Sequence, residues 1–383
     1  MATTANATIE PLVLVGTAYQ RGLHHGETLR TKIQELVRVW QAELSAGFRL
    51  DAAQVIQRFL GRTDFVGAIR KWTPDLLDEV RGIADGCGLS FDTMLAFQLV
   101  DELWANEDVI VGEHCTAIGF PATAEEPAYV AETLDVEAFR DGFQVVLHIV
   151  EPGSGLEALI ASVAGLIGFN GMNNKGVSLC ANALLPLNSR TDGLPVAFVV
   201  RGALSCPSTQ QAFDFLRRIP HACGRNYLIG GPDQVVDLEC SANQVVQYQP
   251  GDWKGVVWHA NMPLTNDDYR HDYRHQQSSP LAQNSLARFQ CVERRLRQAP
   301  VGTRLEFIKQ MLASRDSAQH PVCSVKDKDE FYAQIGLFSL ASTMMKLSGD
   351  PEFYVTFTPA DPTSYTRLTF ARGAVRLAHG DPV

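Results

Sequence analysis

The feature that most limits what this chain can become is a change of hydrophobic period at Val109. Before it, apolar residues recur at helical spacing. After it, they run in short strand-length blocks, interrupted twice by a pair of helices. In the first part, Gly16 and Gly22 flank a segment that reads as a turn, and Leu29, Ile33, Leu36, Val37, Trp40 and Leu44 mark a helix. Thr73-Pro74 opens another, with Thr73 as N-cap and Pro74 at the first helical position. Its apolar face is Leu76, Leu77, Val80, Ile83 and Ala84, and Gly86 and Gly88 can stop it. Ser90 caps a third helix containing Met94, Leu95, Leu99 and Leu103, and Asn106-Glu107-Asp108 reads as an exposed link.

Beyond Val109 the pattern predicts strands over 116–120, 128–136, 143–151, 157–169 and 177–184, with 170–176 as a connection. Gly153 and Gly155 supply a hairpin-type turn. Helices are expected near 195–205 and over 209–218, the second opened by a Ser208/Gln211 capping box. Strands follow at 226–230, 234–240, 244–248 and 255–261, with Gly231-Pro232-Asp233 as a tight turn. Helices at 281–298 and 303–314 (Thr303 and Glu306 as a second capping box) and strands at 336–347, 352–358 and 365–371 complete the chain. Strand groups separated by helix pairs predict an α+β layered architecture, not a regular βαβ alternation.

Composition narrows the function. The 383 residues are 45% hydrophobic and 20% charged, an ordinary globular balance. A net charge of −10 without a basic run argues against a nucleic-acid partner. No stretch of 18 apolar residues suggests a membrane span, and the first ten residues do not read as a secretory signal, so a cytoplasmic protein is expected. The eight cysteines contain no Cys-x-x-Cys pair and read as reduced thiols. His24-His25 and His271/His275 invite a metal reading, but the charged residues around them fit a solvated face better. No metal and no cofactor are expected.

Four places set polar groups in or beside apolar strands: His114-Cys115-Thr116, Glu132-Thr133-Leu134-Asp135, Cys180-Ala181-Asn182 and His259-Ala260-Asn261. Asn and Asp are poor strand formers, so their recurrence suggests a site built on a sheet. Each also has a plain reading: Cys115 as a buried thiol, Asp135 as a turn cap, Asn182 and Asn261 as strand-end closures. If the chain were cut before Cys115, thiol and α-amine would share one residue, a nucleophile with its own base. An uncut thiol hydrolase would need a histidine partner, for which His259 is the candidate.

In order and spacing these segments resemble the acyl-coenzyme A:6-aminopenicillanate acyltransferase (isopenicillin-N N-acyltransferase-like) family of N-terminal-nucleophile hydrolases, with the choloylglycine hydrolases more distant. The resemblance begins with Gly16-Thr17-Ala18-Tyr19-Gln20-Arg21-Gly22-Leu23-His24-His25-Gly26. It continues through Gly82-Ile83-Ala84-Asp85-Gly86-Cys87-Gly88-Leu89-Ser90, Asp101-Glu102-Leu103, Cys115-Thr116-Ala117, the stretch 168–177 and His259-Ala260-Asn261. It implies a four-layer αββα sandwich and self-cleavage between His114 and Cys115. The products would be an α segment 1–114 and a β chain 115–383, staying together as one folded unit. It implies Cys115 as nucleophile, Asp135 beside it, Asn261 as oxyanion donor and Asn182 as a second contributor. The expected activity is cleavage or transfer of the acyl group of a small N-acyl amide through an S-acyl enzyme. Acyl-coenzyme A is a candidate donor, and homo-oligomerisation stays open. The alternative is an unprocessed, inactive member of the fold that binds a ligand or partner. Two positions depart from the family pattern. His114 replaces the glycine before the nucleophile, and Val322-Cys323-Ser324 lacks an arginine, for which Lys326, Arg367 or Arg225 could substitute.

Overall fold

The computed structural model describes residues 8–106, 114–251, 253–271, 279–298, 302–326, 328–357, 360–371 and 374–377. Two sheets dominate it. The eight-stranded sheet runs in the order Leu12–Val15, Gln144–Val150, Glu157–Val163, Asn170–Asn173, Ser178–Ala183, Arg225–Gly230, Val235–Cys240, Val245–Tyr248. The seven-stranded sheet runs Val257–His259, Thr116–Phe120, Tyr129–Glu137, Leu337–Lys346, Glu352–Phe357, Thr366–Ala371, Ala374–Leu377. All pairings are antiparallel except that of Leu12–Val15 with Gln144–Val150.

Side-chain alternation along the strands separates the layers. Val146, Leu159, Ala161 and Cys180 of the larger sheet meet Val130, Met345 and Val355 of the smaller one in a core between the sheets. Their neighbours Leu147, Ile160 and Leu179 point the other way, into a cluster with Ile33, Trp40, Val80, Ile83, Phe97 and Phe198 from the helices. On the opposite outer face, Ile118, Ala131 and Met344 pack on Val292, Phe307, Ile308 and Met311 of the helices Pro280–Arg297 and Arg304–Leu312. The central strands are therefore buried on both sides, which explains their near-continuous apolar runs, whereas the edge strands Leu12–Val15 and Val245–Tyr248 are partly exposed. The result is the expected four-layer αββα sandwich, its N-terminal part helical. No helix among the described residues is long and apolar enough to cross a membrane.

Several local expectations need correction. Residues 16–22 do not form a turn: Thr17 and Gln20 make a capping box that opens the helix Ala18–Thr28. Its glycines serve close packing. A Cβ at Gly22 would stand 1.9 Å from the Glu79 carbonyl oxygen, and one at Gly26 2.4 Å from that of Ile83; Gly82 and Gly86 are as tight in return. The backbones of this helix and Asp75–Cys87 thus touch directly. Thr73 offers the latter helix its carbonyl to Leu76, not its hydroxyl. The helix after Ser90 is two helices, Phe91–Gln98 and Val100–Asn106, and buried Gln98 at the break turns its amide to Gly165 and Ile167. Asn170–Asn173, read as a connection, is a strand paired with 158–161. The preceding strand stops at Val163, where Gly165 takes a positive φ of 87°. The 255–261 strand shrinks to Val257–His259. The strand Leu12–Val15 and the helices Ala52–Gly61 and Phe65–Trp72 were unforeseen. Glu107, Asp108 and His275 lie outside the described residues.

Candidate active site

Cys115 immediately precedes the strand Thr116–Phe120, which is hydrogen-bonded on one side to Tyr129–Glu137 and on the other to Val257–His259. It is fully buried. The pairing brings His114 beside Asp135, with the His114 N–H donating to the Asp135 carbonyl oxygen at 3.4 Å.

At the centre of the cluster is a residue that the sequence reading missed, Arg288. It sits on Pro280–Arg297 and is completely buried. Its Nη1 donates to the Cys115 carbonyl oxygen at 2.6 Å and to Thr116 Oγ1 at 2.7 Å. Its Nη2 donates to Asn261 Oδ1 at 2.8 Å, and its Nε to Asn284 Oδ1 at 2.7 Å. Burial pushes its guanidinium below the ordinary arginine range, while the nearby Asp135 and Cys115 act against that. A signal was present: Asn284, Ser285 and Arg288 share the buried stripe of their helix with Cys291 and Val292. Three polar residues on an apolar face ask for polar partners across it.

The other expected residues surround this arginine. Burial raises the Asp135 carboxyl to about 7, against the pull of Arg288 and of the Ser339 hydroxyl, which donates to Oδ1 at 2.6 Å. The departing segment Val322-Cys323-Ser324 supports this contact. Ser324 N–H donates to Ser339 Oγ, and Ser339 N–H returns a bond to the Ser324 carbonyl. The Asn261 amide is clamped at both ends, its Oδ1 by Arg288 and its Nδ2 by the Ala183 carbonyl at 3.1 Å. With the oxygen facing the guanidinium, the second amide N–H points away from it. Asn182 Nδ2 donates to the Ala260 carbonyl at 3.3 Å, stitching the larger sheet to the Asn261 segment.

Two buried histidines lie in or beside this network. His114 is buried, 3.2 Å through Nδ1 from Asn284 Oδ1, and burial together with Arg288 lowers it to about 3, so its ring is neutral. His259 has both ring nitrogens engaged, Nδ1 with the Ala260 carbonyl at 2.7 Å and Nε2 with Glu239 Oε1 at 2.8 Å. Neither nitrogen is left to serve a thiol. Glu239 in turn accepts from the backbone N–H groups of Leu264, Thr265 and Asn266, so this pair fixes the segment carrying Asn261. The proposed arginine substitutes are paired elsewhere: Arg225 with Asp101, Lys326 with Asp141 and Arg367 with Glu352. His25, from the metal reading, accepts a bond from Gly165 N–H at Nε2. None of the eight cysteines is in a disulfide.

Beside the cluster lies a second buried carboxyl. Glu132 accepts from Asn170 Nδ2 at 2.5 Å, and burial raises it to about 8. Cys180 lies against it, and burial pushes that thiol up.

Residues 125–347 match the family described as acyl-coenzyme A:6-aminopenicillanic acid acyl-transferase. That span is more than half the chain. It starts just after Cys115 and contains Asp135, Asn182, Asn261 and Arg288. The acyl-coenzyme A:6-aminopenicillanic-acid-acyltransferase 40 kDa form of Emericella nidulans is 24% identical over 252 residues, covering 66% of this chain and 68% of that protein. Protein dcd1A of Dictyostelium discoideum is 26% identical over 50% of this chain, which spans 49% of its length. Among solved structures, an N-acylethanolamine-hydrolyzing acid amidase ortholog of Caenorhabditis elegans aligns with a TM-score of 0.41 at 13% identity, over 61% of this chain and 92% of that one. Penicillin V acylase from Agrobacterium tumefaciens aligns with a TM-score of 0.41 at 12% identity, over 66% and 84%.

Proposed function

Because the chain belongs to the acyl-coenzyme A:6-aminopenicillanic acid acyl-transferase family, we propose that it is an amidohydrolase or acyltransferase that cuts itself before Cys115 and then uses that cysteine as nucleophile. The observation that carries this reading is the convergence of Asp135, Asn261 and Arg288 on the Cys115 backbone and its surroundings.

Processing begins when the Cys115 thiol adds to the His114 carbonyl carbon. The C–N bond breaks, the acyl group passes to sulfur, and water hydrolyses the resulting thioester. This frees the His114 carboxylate and the Cys115 α-amine. In turnover, that amine, with an ordinary pKa near ~8, takes the thiol proton. The thiolate attacks the amide carbonyl of the substrate. The Asn261 amide supports the tetrahedral oxyanion, a contribution worth about 3 kcal/mol per donor. The proton passes to the leaving amine, leaving an S-acyl enzyme. Water then gives a carboxylic acid, or a second amine gives a new amide. Asp135 orients the thiol–amine pair, and Arg288 holds the Asn261 amide in its donating orientation. Acyl-coenzyme A can load the same thiol by thioester exchange.

Denaturing electrophoresis tests the first step. The reading expects fragments of about 12 and about 30 kDa from the 42.1 kDa chain, the larger beginning Cys-Thr-Ala-Ile on N-terminal sequencing. Cys115→Ala should stay intact and lose turnover altogether. A wild-type chain that stays intact and hydrolyses no amide supports the alternative, an unprocessed binding protein of the same fold, which the bulk of His114 before the nucleophile favours.

A further inference from the structure

His114 is held by both its backbone and its side chain. Its N–H donates to the Asp135 carbonyl oxygen at 3.4 Å. The residue is 2% exposed, and its ring is seated on the helix Pro280–Arg297. Nδ1 lies 3.2 Å from Asn284 Oδ1 and 3.4 Å from Arg288 Nη2. As a donor it uses the first, as an acceptor the second, so either neutral tautomer has a partner on the helix.

The two partners are themselves joined, Arg288 Nε donating to Asn284 Oδ1 at 2.7 Å. Ring, guanidinium and amide thus close a triangle. The same guanidinium donates through Nη1 to the Cys115 carbonyl oxygen at 2.6 Å. One arginine therefore touches the residues on both sides of the His114–Cys115 peptide. With the His114 N–H and ring both fixed, ψ of His114 is the one soft torsion left between those anchors and the His114 carbonyl. The peptide beyond it is planar, and its far side is held at the Cys115 carbonyl. A glycine at 114 would lack the ring and roam over a wider range of φ and ψ.

We propose that His114 is a positioning residue for self-cleavage: its ring, docked on Arg288 and Asn284, presents the His114 carbonyl carbon to the Cys115 thiol. This rests on the self-cleavage reading above. In the step it serves, sulfur bonds to that carbon, the C–N bond to Cys115 breaks, and the thiol proton ends on the Cys115 nitrogen. Water then splits the thioester, which restores the thiol and leaves a carboxylate on His114. The ring gives and takes no proton. It limits the orientations of the carbonyl, and such restriction of reacting groups accelerates an intramolecular attack. The bulk that would obstruct a small-residue site is here a handle.

The test times self-cleavage of the full-length chain after a short radioactive pulse of cell-free synthesis, read on denaturing gels. His114→Gly restores the residue of the family pattern. If the ring were only an obstacle, this change would speed the cut; as an anchor lost, it should slow it roughly tenfold. His114→Phe keeps a ring without nitrogens and should be slowed as well. His114→Asn places an amide where Nδ1 stood and should recover most of the rate. If the Phe chain does not fold, Gly and Asn decide. Thermal melts of the same variants in the uncut Cys115→Ala background separate positioning from folding, because the rates should follow the polar group at 114 and not the stability. Gly or Phe cleaving as fast as wild type, Asn no faster than Gly, or rates that track the melting temperature overturn the assignment and leave the self-cleavage reading standing. A wild-type chain that never cleaves overturns both.

Discussion

Two of the buried arginine clusters among the described residues are built on opposite plans. In the helical layer, Glu79 is gripped by Arg201 at 2.5 and 2.9 Å and by Arg21 at 3.0 and 3.2 Å. Further N–H groups go to the carbonyls of Gly16 and Ile167. Burial works to raise the Glu79 carboxyl, but the two arginines hold it below its usual range. At Cys115, by contrast, Arg288 bonds to amide, hydroxyl and carbonyl oxygens and, at 3.4 Å, to His114 Nδ1, with no carboxylate among these partners, and Asp135, whose charge it feels, is raised to about 7. The first cluster has spent its charges on itself. The second keeps a cation without a directly bonded anion beside a thiol, where a developing negative charge would be welcome. On the proposed reading, what distinguishes the reactive cluster is not buried charge as such but buried charge without a bonded anion.

The largest test of this contrast is to disarm the saturated cluster. Glu79→Gln removes the carboxylate shared by two buried guanidinium groups and should cost about 3–5 kcal/mol in denaturant unfolding. Activity per folded molecule should hold; a loss below about 1 kcal/mol would show that the cluster is not a structural knot. Next comes the open cluster. Asn261→Ala should lower kcat roughly a hundredfold with little change in unfolding, and Arg288→Lys, which keeps the charge but surrenders the fork, should fall between it and wild type. Steady-state kinetics beside a thermal melt decide, and an unchanged kcat in Asn261→Ala removes that residue from the oxyanion role.

The smallest effect concerns pH. Glu132, at about 8 when folded, has an ordinary value of 4.5. The folded chain thus holds this proton more tightly than the unfolded one. Its stabilising contribution is complete below about pH 4.5 and is lost as pH rises through about 8. Glu132→Gln should therefore gain in melting temperature relative to wild type between pH 5 and pH 8. A difference that stays constant across that window contradicts the buried, protonated state.

The contrast also explains what could be read in the sequence. Strand 116–120 was legible to the residue because its apolar run is short and sharply bounded, and most other strands were placed within two residues for the same reason. The helix Ala18–Thr28 was hidden because Gly22, His24, His25 and Gly26 look like a turn until the facing glycines of another helix are known. Asn170–Asn173 was hidden because its composition is that of a loop, while its partners, Glu132 and the 158–161 strand, come from elsewhere in the chain. Cys115, Asp135, Asn182 and Asn261 were suggested by polar residues in strand contexts. Arg288 was not, because an arginine in an Arg-containing helix reads as solvated unless the buried stripe is traced first.

The placement of the strand Thr116–Phe120 between two hydrogen-bonded neighbours has a thermodynamic consequence. A break before Cys115 would not loosen it. The preceding segment adds the strand Leu12–Val15 to the larger sheet and supplies much of the helical layer, so both pieces would remain one body. What would change is molecularity. Unfolding of the intact chain is a one-body event, whereas a severed one must separate into two. Its midpoint should then climb with protein concentration, and once apart at high dilution the halves would have to find each other again to recover the fold.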